Sequence, residues 1–248
     1  MDLCHVKHSE LPPDQRKCKG RVVLRGDIIR EETGFYAVFS EQGTSASHLA
    51  AAKFLDAIAR FQDNDGSDSD AIGAYTQFSL QELEDEQGIE TWISLPKNRQ
   101  PKYWSKYHDP VCKLSKNLYG HTLAGLLWEK HCQKAIKAEG FTPVPGWECL
   151  FMHKKEQLFL SIYVDDFKMA GNSKNIEGMW QKLRQRLDLE PPVSFSDNVY
   201  LGVQQTEVSP PMDLIAHRHR FLAEVQKVPS PVTEDHENQG AQPPSWGV

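Results

Sequence analysis

The stretch that decides the fold is Leu158-Phe-Leu-Ser-Ile-Tyr-Val-Asp165-Asp166-Phe-Lys-Met-Ala-Gly171. Apolar residues alternate along its first half, which predicts a strand with Leu158 and Val164 on one face and Tyr163 on the other. Asp165 and Asp166 then form the tight turn of a hairpin. Asp is common in turns, but two adjacent carboxylates between apolar flanks repel each other unless a divalent cation lies nearby. The pair therefore indicates either a simple turn or a metal site.

A metal site at this turn needs a carboxylate from another strand, and Asp70 is the candidate. It opens Asp70-Ala-Ile-Gly-Ala-Tyr75, after a polar loop over residues 63–70 and at the start of a strand predicted for Ala71–Phe78. In an antiparallel sheet its end can lie beside Asp165, and the two carboxylates could bridge two Mg²⁺ ions about 3.5–4 Å apart. Asp68 is a rival ligand. Tyr75 lies either near a bound sugar or in the core.

The pattern of elements predicts an α+β fold. Helices are expected over residues 45–62, 122–138 and 173–187, and short strands lie between and after them. This order favours an antiparallel sheet with helices on one face. The first 18 residues are expected to be a loose lead-in, and the tail over residues 229–248 is rich in Pro, Glu, Gln and Ser and is expected to be disordered.

Charge is unevenly distributed although the net charge is only −6. Residues 53–95 carry ten acids and two bases, whereas residues 96–138 carry nine bases and two acids, interleaved with aromatic rings. The basic segment could neutralise phosphates and stack on bases, or be an ordinary surface. No apolar run approaches the roughly 20 residues of a membrane helix, and no signal region is apparent. Five scattered cysteines favour a reducing, intracellular compartment (cytoplasm or nucleus) rather than secretion.

Several blocks together resemble one family. Tyr163-Val-Asp-Asp166 with the following Phe-Lys-Met-Ala-Gly-Asn172 resembles the catalytic hairpin of copia-type retrotransposon reverse transcriptases. The other blocks fall in that family's order between Lys19 and Gln205. They are Lys19-Gly-Arg-Val-Val-Leu-Arg25 of the fingers, Asp70 to Tyr75 of the first catalytic block, Leu114-Ser-Lys-Asn-Leu-Tyr-Gly120 with Trp128 before the template-positioning helix, and Tyr200-Leu-Gly202 after the palm.

The resemblance implies a reverse-transcriptase palm with partial fingers over residues 19–205. Residues 206–228 would then be a connection or the start of a thumb that is otherwise largely absent. The implied activity is RNA-directed DNA polymerisation, in which two Mg²⁺ or Mn²⁺ ions assist nucleotidyl transfer to a primer 3′-hydroxyl. The implied partners are an RNA or DNA template-primer and deoxynucleoside triphosphates, but no membrane. Integrase and ribonuclease H domains are expected elsewhere in the polyprotein.

The resemblance also assigns roles to residues. Asp70, Asp165 and Asp166 would be the catalytic carboxylates and metal ligands, and Tyr75 would be the steric gate against a 2′-hydroxyl. Further residues would contact substrates: Lys19, Arg21 and Arg25 the triphosphate, Gly120 the nascent base pair, Tyr163 the substrate, and Lys168 the leaving pyrophosphate as a proton donor.

Two alternatives stay open. The chain could be an inactive retroelement relic that at most binds nucleic acid, or an unrelated metal-dependent nuclease that uses the same acids. The polar Asp-Gly-Ser-Asp-Ser before Asp70 and the His121-Thr-Leu-Ala-Gly125 after Gly120 depart from the family pattern.

Overall fold

A computed structural model describes residues 2–7, 12–37, 46–197, 199–200, 203–204, 209 and 211–227. The chain divides into two compact units, residues 1–205 and 206–248. In the second unit the described element is helix α6, Met212–Lys227. The tail expected to be disordered, residues 229–248, lies outside the described residues. No helix in the described ranges is both long and apolar enough to cross a membrane.

The core of the first unit is a six-stranded sheet in which every pair of neighbours is antiparallel. The mixed helix and antiparallel-sheet class predicted from the sequence is confirmed. The strands, in spatial order, are β10 (Val193–Ser194), β3 (Asn64–Asp70), β9 (Asp166–Asn172), β8 (Leu158–Tyr163), β7 (Leu150–His153) and β6 (Thr142–Pro143).

Five α-helices, several short 3-10 helices and three two-stranded ribbons accompany this sheet among the described residues. The helices are α1 (Leu49–Ile58), α2 (Ala74–Gln77), α3 (Leu80–Gln87), α4 (Ala124–Ala138) and α5 (Ser173–Arg184). The ribbons pair β1 (Asp2–Lys7) with β2 (Lys17–Val22), β4 (Trp92–Ser94) with β5 (Val111–Lys113), and β11 (Val199–Tyr200) with β12 (Val203–Gln204). Strand β1 forms where the sequence predicted a loose lead-in, because its backbone pairs with β2.

Helices pack on both faces of the sheet. Phe167 and Met169 of β9 join a buried cluster with residues of α4 and α5, whereas Ala170 joins another with Ala51 and Leu55 of α1. Because successive strand residues point to opposite faces, α1 lies on the face opposite α4 and α5. The expectation that helices cover one face is therefore wrong. The apolar stripe of α1 needs burial as much as those of α4 and α5, and the second sheet face supplies it.

Strand β3 replaces the loop predicted for residues 63–70, and α2 lies within the strand predicted for Ala71–Phe78. The serine hydroxyl groups of β3 form hydrogen bonds with residues from distant parts of the chain. Trp180 donates a hydrogen bond to Ser67 (2.7 Å), and the hydroxyl of Ser69 donates to the carbonyl of Glu190 (2.8 Å). Each partner lies more than 110 residues away, so local composition gives no sign of this strand.

Candidate active site

The end of the β3–β9 pair brings the predicted acids together. Asp70 lies directly opposite Asp166 in the antiparallel register. The next amide along, that of Ala71, donates a hydrogen bond to the carbonyl of Asp165 (2.7 Å). Tyr163 is the partner of Asp166 on the other side, in β8. Three carboxylates that lie far apart in the sequence thus share one end of the sheet.

Crowding of these carboxylates has an electrostatic consequence. Partial burial, together with the negative charges of Asp70 and Asp165 and a hydrogen bond to Asp70, raises the pKa of Asp166 to about 7. A carboxyl group whose charged form is this unfavourable lies in a place that lacks positive charge. The arrangement is therefore suited to a cation or to sharing a proton.

Asp68 does not share this open end. It is 2% exposed, whereas Asp70 is exposed at the end of its strand. Asp68 pairs in register with Lys168 and lies 3.5 Å from its ammonium group. Of the two acids that the sequence left as rivals, the structure places Asp70 at the hairpin turn and Asp68 in the interior.

The hairpin turn has a strained backbone, and a hydrogen bond from α4 holds it in place. Val164 has a φ of +57°, a left-handed conformation that costs roughly 1–3 kcal/mol in a residue other than glycine. The buried indole of Trp128, on α4, donates a hydrogen bond to the carbonyl of Val164 (2.6 Å). The sequence gives no sign of this hydrogen bond, because Trp128 and Val164 lie 36 residues apart.

A stack of side chains leads from the acids to the β1–β2 ribbon. The rings of Tyr75 and Tyr119 lie 4.8 Å apart, and the guanidinium of Arg21 lies 5.1 Å from the Tyr119 ring. Burial, and next the charge of Asp165, raise the pKa of Tyr75, so the negative charge of the acid cluster acts on its phenol. Tyr75 is thus a rim residue beside the cluster rather than a fully buried core ring.

The three basic candidates differ in their surroundings. Arg21 and Lys19 are two residues apart on the exposed strand β2 and so point to one face. Arg25 instead forms an ion pair with Asp27 (2.8 Å). Only Arg21 contacts the stack beside the acids.

Gly120 lets two chain segments approach closely. Its φ is +83°, and a Cβ atom built there would collide with the carbonyl oxygen of Leu24. Beside it, the amide of Leu24 donates a hydrogen bond to the carbonyl of Tyr119 (2.7 Å). A glycine at this position therefore fixes Tyr119, and with it the stack, against the segment that follows β2.

Lys168 is placed differently from what the sequence suggested. Its side chain is 1% exposed and lies 2.8 Å from Asp56 and 3.5 Å from Asp68. The role predicted for it, donation of a proton to a leaving group, does not fit an ammonium group shut inside the fold. Lys168 is buried because the alternation of β9 points its side chain to the sheet face that α1 covers, beside Asp68.

The donor set can be tested against a divalent cation. No group of three or more His, Cys, Asp or Glu residues in the described part of the chain is arranged as a preformed metal centre. Asp70, Asp165 and Asp166 nevertheless offer only carboxylate oxygens, which are the ligands that Mg²⁺ and Mn²⁺ prefer. Burial, and next the charges of Asp70 and Asp165, raise the pKa of Asp166, and a cation bound beside these acids would favour its charged form. By their chemistry these residues fit a divalent cation.

A comparison of the sequence with known protein families matches residues 5–228 to the family described as "Reverse transcriptase (RNA-dependent DNA polymerase)". The chain belongs to this reverse transcriptase family. Comparisons with curated proteins and with solved structures find no match. Membership makes the chain a reverse transcriptase domain, of a family of nucleotidyltransferases whose substrates are a nucleic acid template-primer and deoxynucleoside triphosphates.

Proposed function

We propose that this reverse transcriptase domain is the RNA-directed DNA polymerase of a copia-type retroelement, with integrase and ribonuclease H domains elsewhere in the polyprotein. The observation that carries the proposal is the register of β3 and β9, which pairs Asp70 with Asp166 beside Asp165. The order of the sequence blocks between Lys19 and Gln205 supports the copia-type assignment.

Asp70, Asp165 and Asp166 are the residues that would hold Mg²⁺ or Mn²⁺. The chemistry that such an ion would supply there is a lower pKa of the primer 3′-hydroxyl and stabilisation of charge on the phosphates. The contribution of the protein is to hold the three carboxylates at one sheet end, on a hairpin whose turn is fixed by Trp128 through Val164. Such positioning, rather than covalent chemistry, is what phosphoryl and nucleotidyl transfer requires of a protein.

Tyr75 and Arg21 would orient the incoming nucleotide. The charge of Asp165 acts on Tyr75, and the Tyr75 ring contacts that of Tyr119, so Tyr75 can act as a wall against a 2′-hydroxyl. Arg21 lies over the Tyr119 ring and is the best placed of the three bases for the triphosphate. The charge of Arg25 is already shared with Asp27, which makes it the weaker candidate.

The basic segment supports binding of the template-primer. The connection between β4 and β5 carries the exposed bases Lys97, Lys102 and Lys106. The rings of Tyr103 and Tyr107 beside them are 67% and 57% exposed. Exposed rings interleaved with cations are typical of surfaces that bind single-stranded nucleic acid.

Primer extension tests the proposed function. The purified chain is given an RNA template with an annealed DNA primer, deoxynucleotides, and Mg²⁺ or Mn²⁺. We expect extension that is lost in Asp165→Asn and kept in Asp85→Asn, a matched change at an exposed acid of α3. No extension above the Asp165→Asn background would leave an inactive relic, and cleavage of the nucleic acid without incorporation would indicate a nuclease.

A further inference from the structure

Lys168 is a buried cation in the same strand as Asp166. It lies in the middle of β9, opposite Asp68 in the register, two residues from Asp166 and on the same face of the sheet. Its side chain is 1% exposed. Burial of an ammonium group is unfavourable unless the group is paired, so we expect acidic partners around Lys168.

Four elements close around this ammonium group. Its nitrogen lies 2.8 Å from a carboxylate oxygen of Asp56 on α1 and 3.5 Å from one of Asp68 on β3. It also lies 3.6 Å from the ring centre of Phe195 and 4.6 Å from that of Tyr200. The cation therefore has acidic partners and aromatic faces around it, and it leaves its strand towards α1 rather than towards the open sheet end.

Asp68 would be a competent metal ligand if Lys168 did not bind it. Asp68 and Asp70 are two residues apart on one face of β3, a separation of roughly 7 Å. Both offer carboxylate oxygens of the kind that divalent cations bind. What distinguishes the two acids in the structure is the cation: Asp68 lies beside Lys168 in the interior, whereas Asp70 is exposed beside Asp166.

We propose that Lys168 is a positioning residue that keeps Asp68 out of the metal site and so restricts divalent cations to Asp70, Asp165 and Asp166. This inference rests on the proposed function. Without the ammonium group, Asp68 and Asp56 become carboxylates that lack their cation, and a divalent ion replaces it. That ion would lie two residue pairs along the sheet from the Asp70–Asp166 pair, where it no longer serves the primer end.

Mn²⁺ binding, measured by electron paramagnetic resonance, tests the inference without relying on polymerase activity. In the otherwise unchanged chain, Asp70→Asn should weaken Mn²⁺ binding by about ten-fold or more. In Lys168→Met/Asp70→Asn, binding should return to within about three-fold of the unchanged chain, and a further Asp68→Asn should remove it again. A double variant that binds no better than Asp70→Asn alone overturns the inference.

A second variant keeps the inference falsifiable if Lys168→Met does not fold. Asp68→Asn leaves Lys168 paired with Asp56 and should leave both Mn²⁺ affinity and primer extension within about two-fold of the unchanged chain. A loss of Mn²⁺ affinity in Asp68→Asn as large as that in Asp70→Asn would mean that Asp68 is already a ligand, which contradicts the proposed role of Lys168.

The same experiment separates this inference from the proposed function. If Asp70→Asn does not change Mn²⁺ binding by the otherwise unchanged chain, the proposed function and the inference fail together. If Asp70→Asn weakens binding but the Lys168→Met background restores none of it, the proposed function stands and only the inference fails.

Discussion

The crowding of carboxylates at the hairpin predicts that Asp166→Asn stabilises the metal-free protein, and does so in a pH-dependent way. The pKa of Asp166 is raised from 3.8 to about 7 by burial and by Asp70 and Asp165. At 1.36 kcal/mol per pKa unit, that difference corresponds to about 4 kcal/mol. Asp166 is only half-buried, so solvent screening reduces the expected effect to about 2 kcal/mol.

The sign follows from where the proton is held. Below pH 4 the carboxyl group of Asp166 is protonated in both the folded and the unfolded chain, so the crowding does not change the free energy of unfolding. Between pH 4 and pH 7 the unfolded chain releases the proton while the folded chain keeps it, so the free energy of unfolding falls as pH rises. Above pH 7 the carboxylate is charged in the folded chain too, and its repulsion and burial lower the free energy of unfolding by the full amount. An amide at position 166 carries no charge and avoids this loss.

Urea unfolding at pH 4 and pH 8, with a chelator present, measures this effect. The stabilisation of Asp166→Asn relative to the unchanged chain should be larger at pH 8 than at pH 4 by about 2 kcal/mol. Asp85→Asn, at an exposed acid, serves as the control and should show no such difference. Equal stabilisation at both pH values, or destabilisation at pH 8, would refute the reasoning that these carboxylates repel one another.

Three further predictions concern the surroundings of the acids. Trp128→Phe removes the hydrogen bond to Val164 and should lower the free energy of unfolding by about 1–3 kcal/mol, measured by urea denaturation; an unchanged stability would contradict the supporting role of the indole. Gly120→Ala should destabilise more than Gly88→Ala, because both glycines have positive φ but only Gly120 faces a neighbouring backbone carbonyl; equal losses in thermal unfolding would disprove the close approach. Tyr75→Ala should increase ribonucleotide incorporation relative to deoxynucleotide incorporation in primer extension, and an unchanged ratio would reject the steric role.

The sequence predicted the central hairpin because its signal is local. Alternating apolar residues from Leu158 onward and a polar turn at Asp165 predict a hairpin here, and the structure has its strands at Leu158–Tyr163 and Asp166–Asn172. The apolar stripes that predicted α4 and α5 are local in the same way.

Strand β3 could not be predicted in this manner. Its residues Asn64–Asp70 contain no large apolar side chain, and its stability depends on partners from distant segments: Trp180 for Ser67 and Lys168 for Asp68. A polar strand of this kind looks like a loop until its partners are known. For the same reason, sequence alone could not choose between Asp68 and Asp70, and it could not show that Lys168, expected to donate a proton to the leaving pyrophosphate, pairs with Asp68.

The metal site is the central claim, and anomalous diffraction from crystals soaked in Mn²⁺ tests it most directly. The account predicts a manganese peak at the end of the β3–β9 pair, in contact with carboxylate oxygens of Asp70, Asp165 and Asp166. It also predicts that this peak is absent from crystals of Asp70→Asn. A peak beside Asp68, or no peak at the hairpin at saturating Mn²⁺, would contradict it.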